Sequence, residues 1–320
     1  MKVTLYAWLL LFAGITPQFP GASRMAGFSK TGHSDFLVHY GVGNKIGIFT
    51  QGELAPLDIE NWHAPPVSCC YHSATPSLSH DGRRIAYVRL ASTAIDQVHR
   101  EVVSVYDLKS RQQTDLFEAF QIWSVAWAPG DGRLAVIAQQ GSQPLREPSN
   151  LYVVDVPSRQ STELISGTFT AQDGSAHYLS NRAPPSWSPD GDKLVFEAGV
   201  GSIAVWDLMT GQAQIVAEGH DPAWSPKGDL IAFFDPSYEN CLVMEAGKGT
   251  TRRLLKAPGK LIAKVFYFPP VWSPRADQLI LHDGLDDQSQ TLVYCLDIAT
   301  GKIRLITLAQ FHVVGWNKSN

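Results

Sequence analysis

The sequence predicts an all-β chain folded as a six-bladed β-propeller, with four antiparallel strands per blade and a last blade closed by strands from both ends of the chain. Three observations predict it. An anchor residue followed by a Ser-Pro-Asp-Gly-type turn recurs at blade-sized intervals. Each turn leads into a continuous apolar run, as expected of strands packed on both faces. The strands left over at the two ends complement one another.

The clearest copy is Trp187-Ser188-Pro189-Asp190-Gly191-Asp192-Lys193-Leu194-Val195-Phe196, followed by Ile203-Ala204-Val205-Trp206-Asp207-Leu208-Met209-Thr210-Gly211. It reads as strand, turn, strand, loop, strand, turn, strand. Equivalent anchors are Leu78, Trp127, Trp187, Trp224, Trp272 and Trp316, separated by 49, 60, 37, 48 and 44 residues. Ser bonds local backbone at the first corner of such a turn, Pro presets φ at the second, and Gly relieves the fourth. In the copy after Trp127 the turn carries an extra residue at Gly130. Ala276 replaces the Gly of the copy after Trp272, so positive φ is not expected to be required at the fourth site in every copy.

The second strands are Ile85 to Val88, Leu134 to Ile137, Leu194 to Phe196, Leu230 to Phe234 and Leu279 to Leu281. Third strands follow at Val102 to Tyr106, Leu151 to Val154, Ile203 to Trp206, Leu242 to Met244 and Leu292 to Leu296. Most end in an acidic turn residue: Asp107, Asp155, Asp207, Glu245 or Asp297. These acids read as caps of backbone N–H groups. More polar fourth strands end in apolar pairs such as Leu164-Ile165 and Ile215-Val216. At the N-terminus, Phe36 to Val38, Ile46 to Phe49 and Leu54 to Ile59 read as second, third and fourth strands, whose first strand is His312 to Trp316. Sharing this blade closes the ring and leaves no open sheet edge. Phe28 to Gly32 also resembles a first turn, so a further N-terminal strand stays open.

Apolar residues make up 44% of the 320 and charged residues 18%, enough for a sizeable core. The 26 basic and 30 acidic residues are mixed, with no Lys/Arg block, which argues against a nucleic-acid partner. Lys2, the apolar run Val3 to Ile15 and the small residues Gly21, Ala22 and Ser23 fit a secretory signal peptide over 1–23, with an apolar strand as the alternative. The run is shorter than the roughly 20 residues a spanning helix needs, so no membrane span is expected once the leader is removed. Residues 24–320 then form one propeller domain, expected to be a periplasmic or secreted monomer. Of the four cysteines, Cys241 and Cys295 read as buried apolar fillers, with pairing left open. Adjacent Cys69 and Cys70 could bridge each other only through a strained ring.

The W-S-P-D-G motif, its following L-V-F strand and the D-L-x-T-G turn resemble the WD-like propeller repeats of TolB-like proteins, over residues 28 to 320. The resemblance implies a six-bladed propeller outside the cytoplasm, often used for protein–protein contacts. TolB itself has an additional N-terminal domain, for which this chain leaves no room, so TolB's own envelope partners are not carried over.

In such a ring the fourth-to-first and second-to-third connections share one face. Here that face receives the long irregular segments Glu60 to Thr75, Leu90 to Glu101, Gln140 to Ser149, Gly167 to Ala183 and Ala257 to Tyr267, whereas the opposite face has short turns. Binding residues favour variable loops on a rigid scaffold. Four residues before each anchor, at the expected channel mouth, stand Ala74, Trp123, Ala183, His220, Phe268 and His312. The aromatics and histidines among them either stack on a ligand or plug the channel, with His220 capping a turn through Asp221. Trp62, His63 and His72 share the first long loop with Cys69 and Cys70, in a spacing that matches no zinc motif. The candidate binding residues are thus Trp62, His63, His72, Trp123, His220, Phe268 and His312. No nucleophile elbow or phosphate-cradling glycine motif occurs, so neither a catalytic residue nor a metal nor another cofactor is assigned. The expected function is non-enzymatic protein or peptide binding through the long-loop face. The alternative is a lyase or hydrolase acting on a polysaccharide with channel-mouth histidines and, in one version, a metal.

Overall fold

The computed structural model describes residues 36–40, 45–50, 53–57, 59, 75–91, 100–141, 148–256, 269–284, 291–309 and 311–316. These form six four-stranded antiparallel sheets and one two-stranded hairpin. Blade I joins the innermost strand Phe311–Trp316 to Phe36–Tyr40, Lys45–Thr50 and Glu53–Pro56. Blade II is Ser77–Leu78, Arg84–Leu90, Glu101–Asp107 and Gln113–Ala119. Blade III is Gln121–Trp127, Arg133–Gln139, Asn150–Asp155 and Ser161–Ile165. Blade IV is Ser186–Trp187, Lys193–Ala198, Ser202–Asp207 and Gln212–Glu218. Blade V is His220–Trp224, Leu230–Phe234, Asn240–Glu245 and Thr251–Lys256. Blade VI is Val271–Trp272, Gln278–Gly284, Thr291–Asp297 and Ile303–Ala309. The shared blade predicted from the two ends is therefore present, and no described residue is helical, so none forms a helix able to cross a membrane. The predicted leader 1–23, the extra strand near Phe28 and the adjacent Cys69 and Cys70 lie outside the described residues.

Strand alternation explains the continuous apolar runs. Ile85 and Tyr87 join the core between blades I and II, while Ala86 and Val88 join the core between blades II and III. Likewise Leu194 and Phe196 face blade III, and Val195 faces blade V. Because each blade packs on both neighbours, neither strand face can be polar. Cys241 and Cys295 are buried and unpaired within this packing.

The turn after each anchor is one device. The N–H of the fourth turn residue donates to the carbonyl of the first in five copies: Gly82 to Ser79, Asp131 to Ala128, Gly191 to Ser188, Gly228 to Ser225 and Ala276 to Ser273, all at 2.9–3.1 Å. The donor has positive φ each time: 69°, 57°, 76°, 81° and 56°. Two expectations are corrected here. The Ala128 turn has no extra residue; Asp131, and not Gly130, is its fourth residue, since Ala128 to Arg133 and Ser188 to Lys193 each contain six residues, and Gly130 before it also has positive φ, 81°. Ala276 does adopt positive φ, because the hydrogen-bonded turn and the strand that follows leave its backbone no alternative. The leading serine adds a second fastening: its Oγ accepts the N–H five residues on, from Arg84, Lys193, Leu230 and Gln278. Asp107, Asp155, Asp207 and Asp297 each accept the N–H three residues on through Oδ1, confirming their capping role.

The anchor tryptophans tie blade to blade. The indole N–H of Trp127 donates to the Ser77 carbonyl at 3.0 Å, that of Trp187 to Ala126 at 3.2 Å, and that of Trp272 to Ala223 at 3.0 Å. Each acceptor lies on the innermost strand of the preceding blade. Trp224 departs from this: its indole bonds Gly228 of its own turn, and its backbone N–H reaches Ser186 Oγ instead. Arg84 and Arg133 lie over the rings of Trp127 and Trp187 and extend to the carbonyls of Asp131 and Gly191 in the next turn.

Candidate functional site

The long-loop face is best described at the seam between blades IV and V. Gly219, at φ +153°, runs so close to the Phe234 carbonyl that a Cβ would sit 2.3 Å from it, so the chain can enter blade V here only as glycine. His220 follows, 5% exposed, with its ring stacked on Tyr238 at 4.4 Å and 8°. Gly201, in the connection between the second and third strands of blade IV, closes the other side; a Cβ there would lie 3.3 Å from the imidazole Cε1. Asp221 comes next at φ +53°, a conformation open to few residues other than Gly, Asn and Asp.

Glu197, at the end of the second strand of blade IV, meets this pair. Its Oε2 lies 3.4 Å from His220 Nδ1, close enough for charge interaction but without hydrogen-bond alignment. Its other oxygen accepts from Ser180 Oγ at 3.3 Å, and its backbone carbonyl accepts the Ser180 N–H. Glu197 and Asp221 are each 1% exposed. Burial pushes the Asp221 carboxyl well above the ordinary carboxylate range; the neighbouring Glu197 charge adds to this and Arg182 opposes it.

Of the sequence-derived candidates, Trp62, His63, His72 and Phe268 lie outside the described residues. His312 is placed by its backbone in the closing strand of blade I, opposite His39. Trp123 sits at a register shift in the innermost strand of blade III and packs, half-buried, against the core between blades III and IV. His220 is packed into the wall between blades IV and V.

The propeller axis holds a cavity of about 490 Å³ lined by all six innermost strands, with Pro76, Pro185, Pro222 and Pro270 among its walls, and it extends to turn residues such as Pro129 and Pro189. Neither Trp123 nor His220 is among its lining residues. Among the described residues no three His, Cys, Asp or Glu side chains are grouped to hold a metal.

Sequence reasoning missed Glu197, Tyr238, Ser180 and Arg182. One signal existed for Glu197: it interrupts an apolar strand at the position filled by Val88, Ile137 and Phe234 in other blades. It also missed the hairpin Thr168–Thr170 with Ala176–Tyr178 inside the predicted irregular segment Gly167 to Ala183. The hairpin inserts Phe169 against Phe196, centroids 5.7 Å apart and edge-on.

The solved structures that match the chain fit this architecture. TolB from Acinetobacter baumannii aligns at a TM-score of 0.61 and 14% identity, over 89% of this chain and 66% of that one. The fold is that of a TolB-like propeller. An oligogalacturonate lyase in complex with manganese aligns at 0.55 and 12% identity, over 81% of this chain and 73% of its own. A periplasmic gluconolactonase from Pseudomonas aeruginosa aligns at 0.54 and 15%, over 87% and 83%. The chain thus spans just under two thirds of the TolB structure it matches. No family model and no curated protein matches it. Since TolB and two enzymes share the fold, the fold alone does not separate binding from catalysis.

Proposed function

We propose that this chain is an extracytoplasmic TolB-like propeller that binds a protein or peptide through its long-loop face and catalyses no reaction there. One observation carries the reading. At the seam between blades IV and V on that face, the His220, Glu197 and Asp221 side chains are turned into the wall, while apolar side chains stand in solvent. His220, Glu197 and Asp221 are 5%, 1% and 1% exposed, whereas Tyr178 and Val200 are 47% and 74% exposed. Val200 lies between Gly199 and Gly201, and a Cβ at Gly199 would lie 3.8 Å from the Tyr178 ring. The buried cluster beneath holds this connection in place. An aromatic and a branched aliphatic side chain on a rigid support suit partner contact. The predicted leader supports export.

The test is to capture a partner from envelope extract on immobilised 24–320, identify it, and measure its affinity as a purified pair. Replacing Tyr178 and Val200 by serine is expected to weaken binding about tenfold or more. Met209→Ser removes a side chain that is 82% exposed on the turn face and should leave affinity unchanged. Equal affinities in all three proteins would refute the long-loop face as the site.

A second reading, a polysaccharide lyase or hydrolase, draws on the 3.4 Å approach of His220 to Glu197. It requires the seam to open so that substrate reaches the imidazole. Polyuronate cleavage that is abolished in His220→Ala, with the folded content of the variant unchanged, would establish it over binding.

A further inference from the structure

Glu197 has a counterpart at the same strand position in blade VI, three residues after the leading leucine: His282. Its environment differs in one decisive respect. His282 is 8% exposed, and its Nε2 accepts the backbone N–H of Val313 at 3.0 Å. Val313 belongs to Phe311–Trp316, the strand from the C-terminal end that completes blade I. The pairing of that strand with Phe36–Tyr40 shifts register between Leu37 and Val38, at the level of Val313. The side-chain bond thus crosses the seam between blades VI and I and ties to blade VI the strand that, by pairing with Phe36–Tyr40 within blade I, joins the chain's two ends.

An imidazole nitrogen accepts a hydrogen bond only when it carries no proton, so His282 is held as the neutral Nδ1–H tautomer. In the imidazolium form both nitrogens are donors. The Val313 N–H would then face a second N–H, and a charge would be buried in an apolar seam. Val293 lies opposite His282 on the third strand, with Cys295 two residues along. Trp272 and Val271 form the innermost strand, Asp283 follows on its own strand, and the sheet of the closing strand carries His312, His39, Tyr40, Lys45 and Glu53 as its titratable residues.

We propose that the His282–Val313 contact is a proton-sensitive latch on the closing strand: neutral His282 holds Phe311–Trp316 against blade VI, and protonation loosens that seam. The direction of the titration agrees. Burial lowers the His282 pKa to about 4. A histidine depressed in the closed state contributes stability that is present above its ordinary value near 6.5 and is lost as pH falls toward 4. Between about pH 7 and pH 5 those two values correspond to a rise on the order of twentyfold in the opening equilibrium of the seam.

Hydrogen exchange of the full chain tests this, with the intrinsic pH dependence of exchange removed. The peptide covering 311–316 is expected to lose protection about twentyfold on going from about pH 7 to pH 5, while the blade III strand Arg133–Gln139 loses far less. His282→Gln keeps a neutral acceptor at every pH and should make the closing strand insensitive to acid. An unchanged closing strand in the native protein, or an equal acid loss in His282→Gln, would overturn the proposal. Should the variant fail to fold, nitrogen NMR of the native protein decides: an Nε2–H tautomer at neutral pH, or a Val313 amide indifferent to the His282 titration, overturns it as well.

Discussion

Neighbouring blades meet at two levels, and the two are built differently. Near the turn face, Trp127, Trp187 and Trp272 each donate an indole N–H to a main-chain carbonyl of the preceding blade. Near the loop face each described seam has its own arrangement. Glu101 Oε2 accepts the Ile122 N–H between blades II and III, Glu197 approaches His220 between IV and V, and His282 accepts from Val313 between VI and I. A main-chain acceptor is present in every blade whatever its sequence, so the first device can be repeated. The second needs a particular side chain opposite a particular strand start, and so differs from seam to seam. The repeated level assembles the ring; the unrepeated level gives each seam its own electrostatics.

The largest way to test that division is at the repeated level. Trp187→Ala removes both packing and the inter-blade bond and should cost about 3–5 kcal/mol in urea unfolding. Trp187→Phe keeps most of the packing and should retain all but about 1–3 kcal/mol, the share of the lost N–H and the Ala126 carbonyl it leaves unpaired. If both variants cost the same, the hydrogen bond and not the burial holds the seam.

The next effect is read as a pH profile at the unrepeated level. The Asp221 carboxyl is raised in the fold, so its contribution to stability is complete below the ordinary carboxylate range and is lost as pH rises through the folded value. Asp221→Asn should remove that loss and leave a profile that no longer falls toward neutral and alkaline pH through this group. His282 acts in the opposite sense, losing stability toward acid, so the two variants should flatten opposite ends of the curve. Unfolding at several pH values checks both, and an Asp221→Asn profile parallel to the native one would contradict the raised Asp221 carboxyl.

Smaller effects concern the turns. Ser188→Ala deletes the acceptor of the Lys193 N–H and the donor to Asp190 and should cost about 1 kcal/mol by urea unfolding. Ala276→Gly should stabilise by about 0.5–1 kcal/mol, since a Cβ at φ +56° is strained and glycine is not. A loss of stability in that variant would mean that the packing of the Ala276 methyl, which is buried, outweighs the backbone strain.

The fold could be read from the sequence because its determinants are local and repeated. Trp187, the turn from Ser188 to Gly191 and the run Leu194 to Phe196 each announce one step of a blade, and five further anchors confirm the step length. The turn residues were less transparent. Matching glycine to glycine put Gly130 out of place, whereas the hydrogen bond from Asp131 to Ala128 shows which residue is the fourth of the turn. The Phe169 hairpin was hidden because its strands are three residues each and mostly exposed, too short for any periodicity to register.

The candidate site was readable only in part. Counting back from the anchors found His220 and Trp123, and the structure places both in the walls between blades. The remaining partners of His220 come from other stretches of chain: Glu197 and Gly201 from blade IV, Ser180 from the segment before it, and Tyr238 from the connection between the second and third strands of blade V.

The sequence by itself determined the blade, its turn and the sharing of one blade between the two ends, because each follows from residues within a few positions of one another or from a repeat that can be counted. Only the tertiary structure decided which groups are buried against which. It showed His220 turned away from the axis, Asp221 and Glu197 buried together, and His282 set against the closing strand. A proton's free energy depends on the solvent exposure and charges around its site, and those neighbours are brought together only when the blades close into a ring.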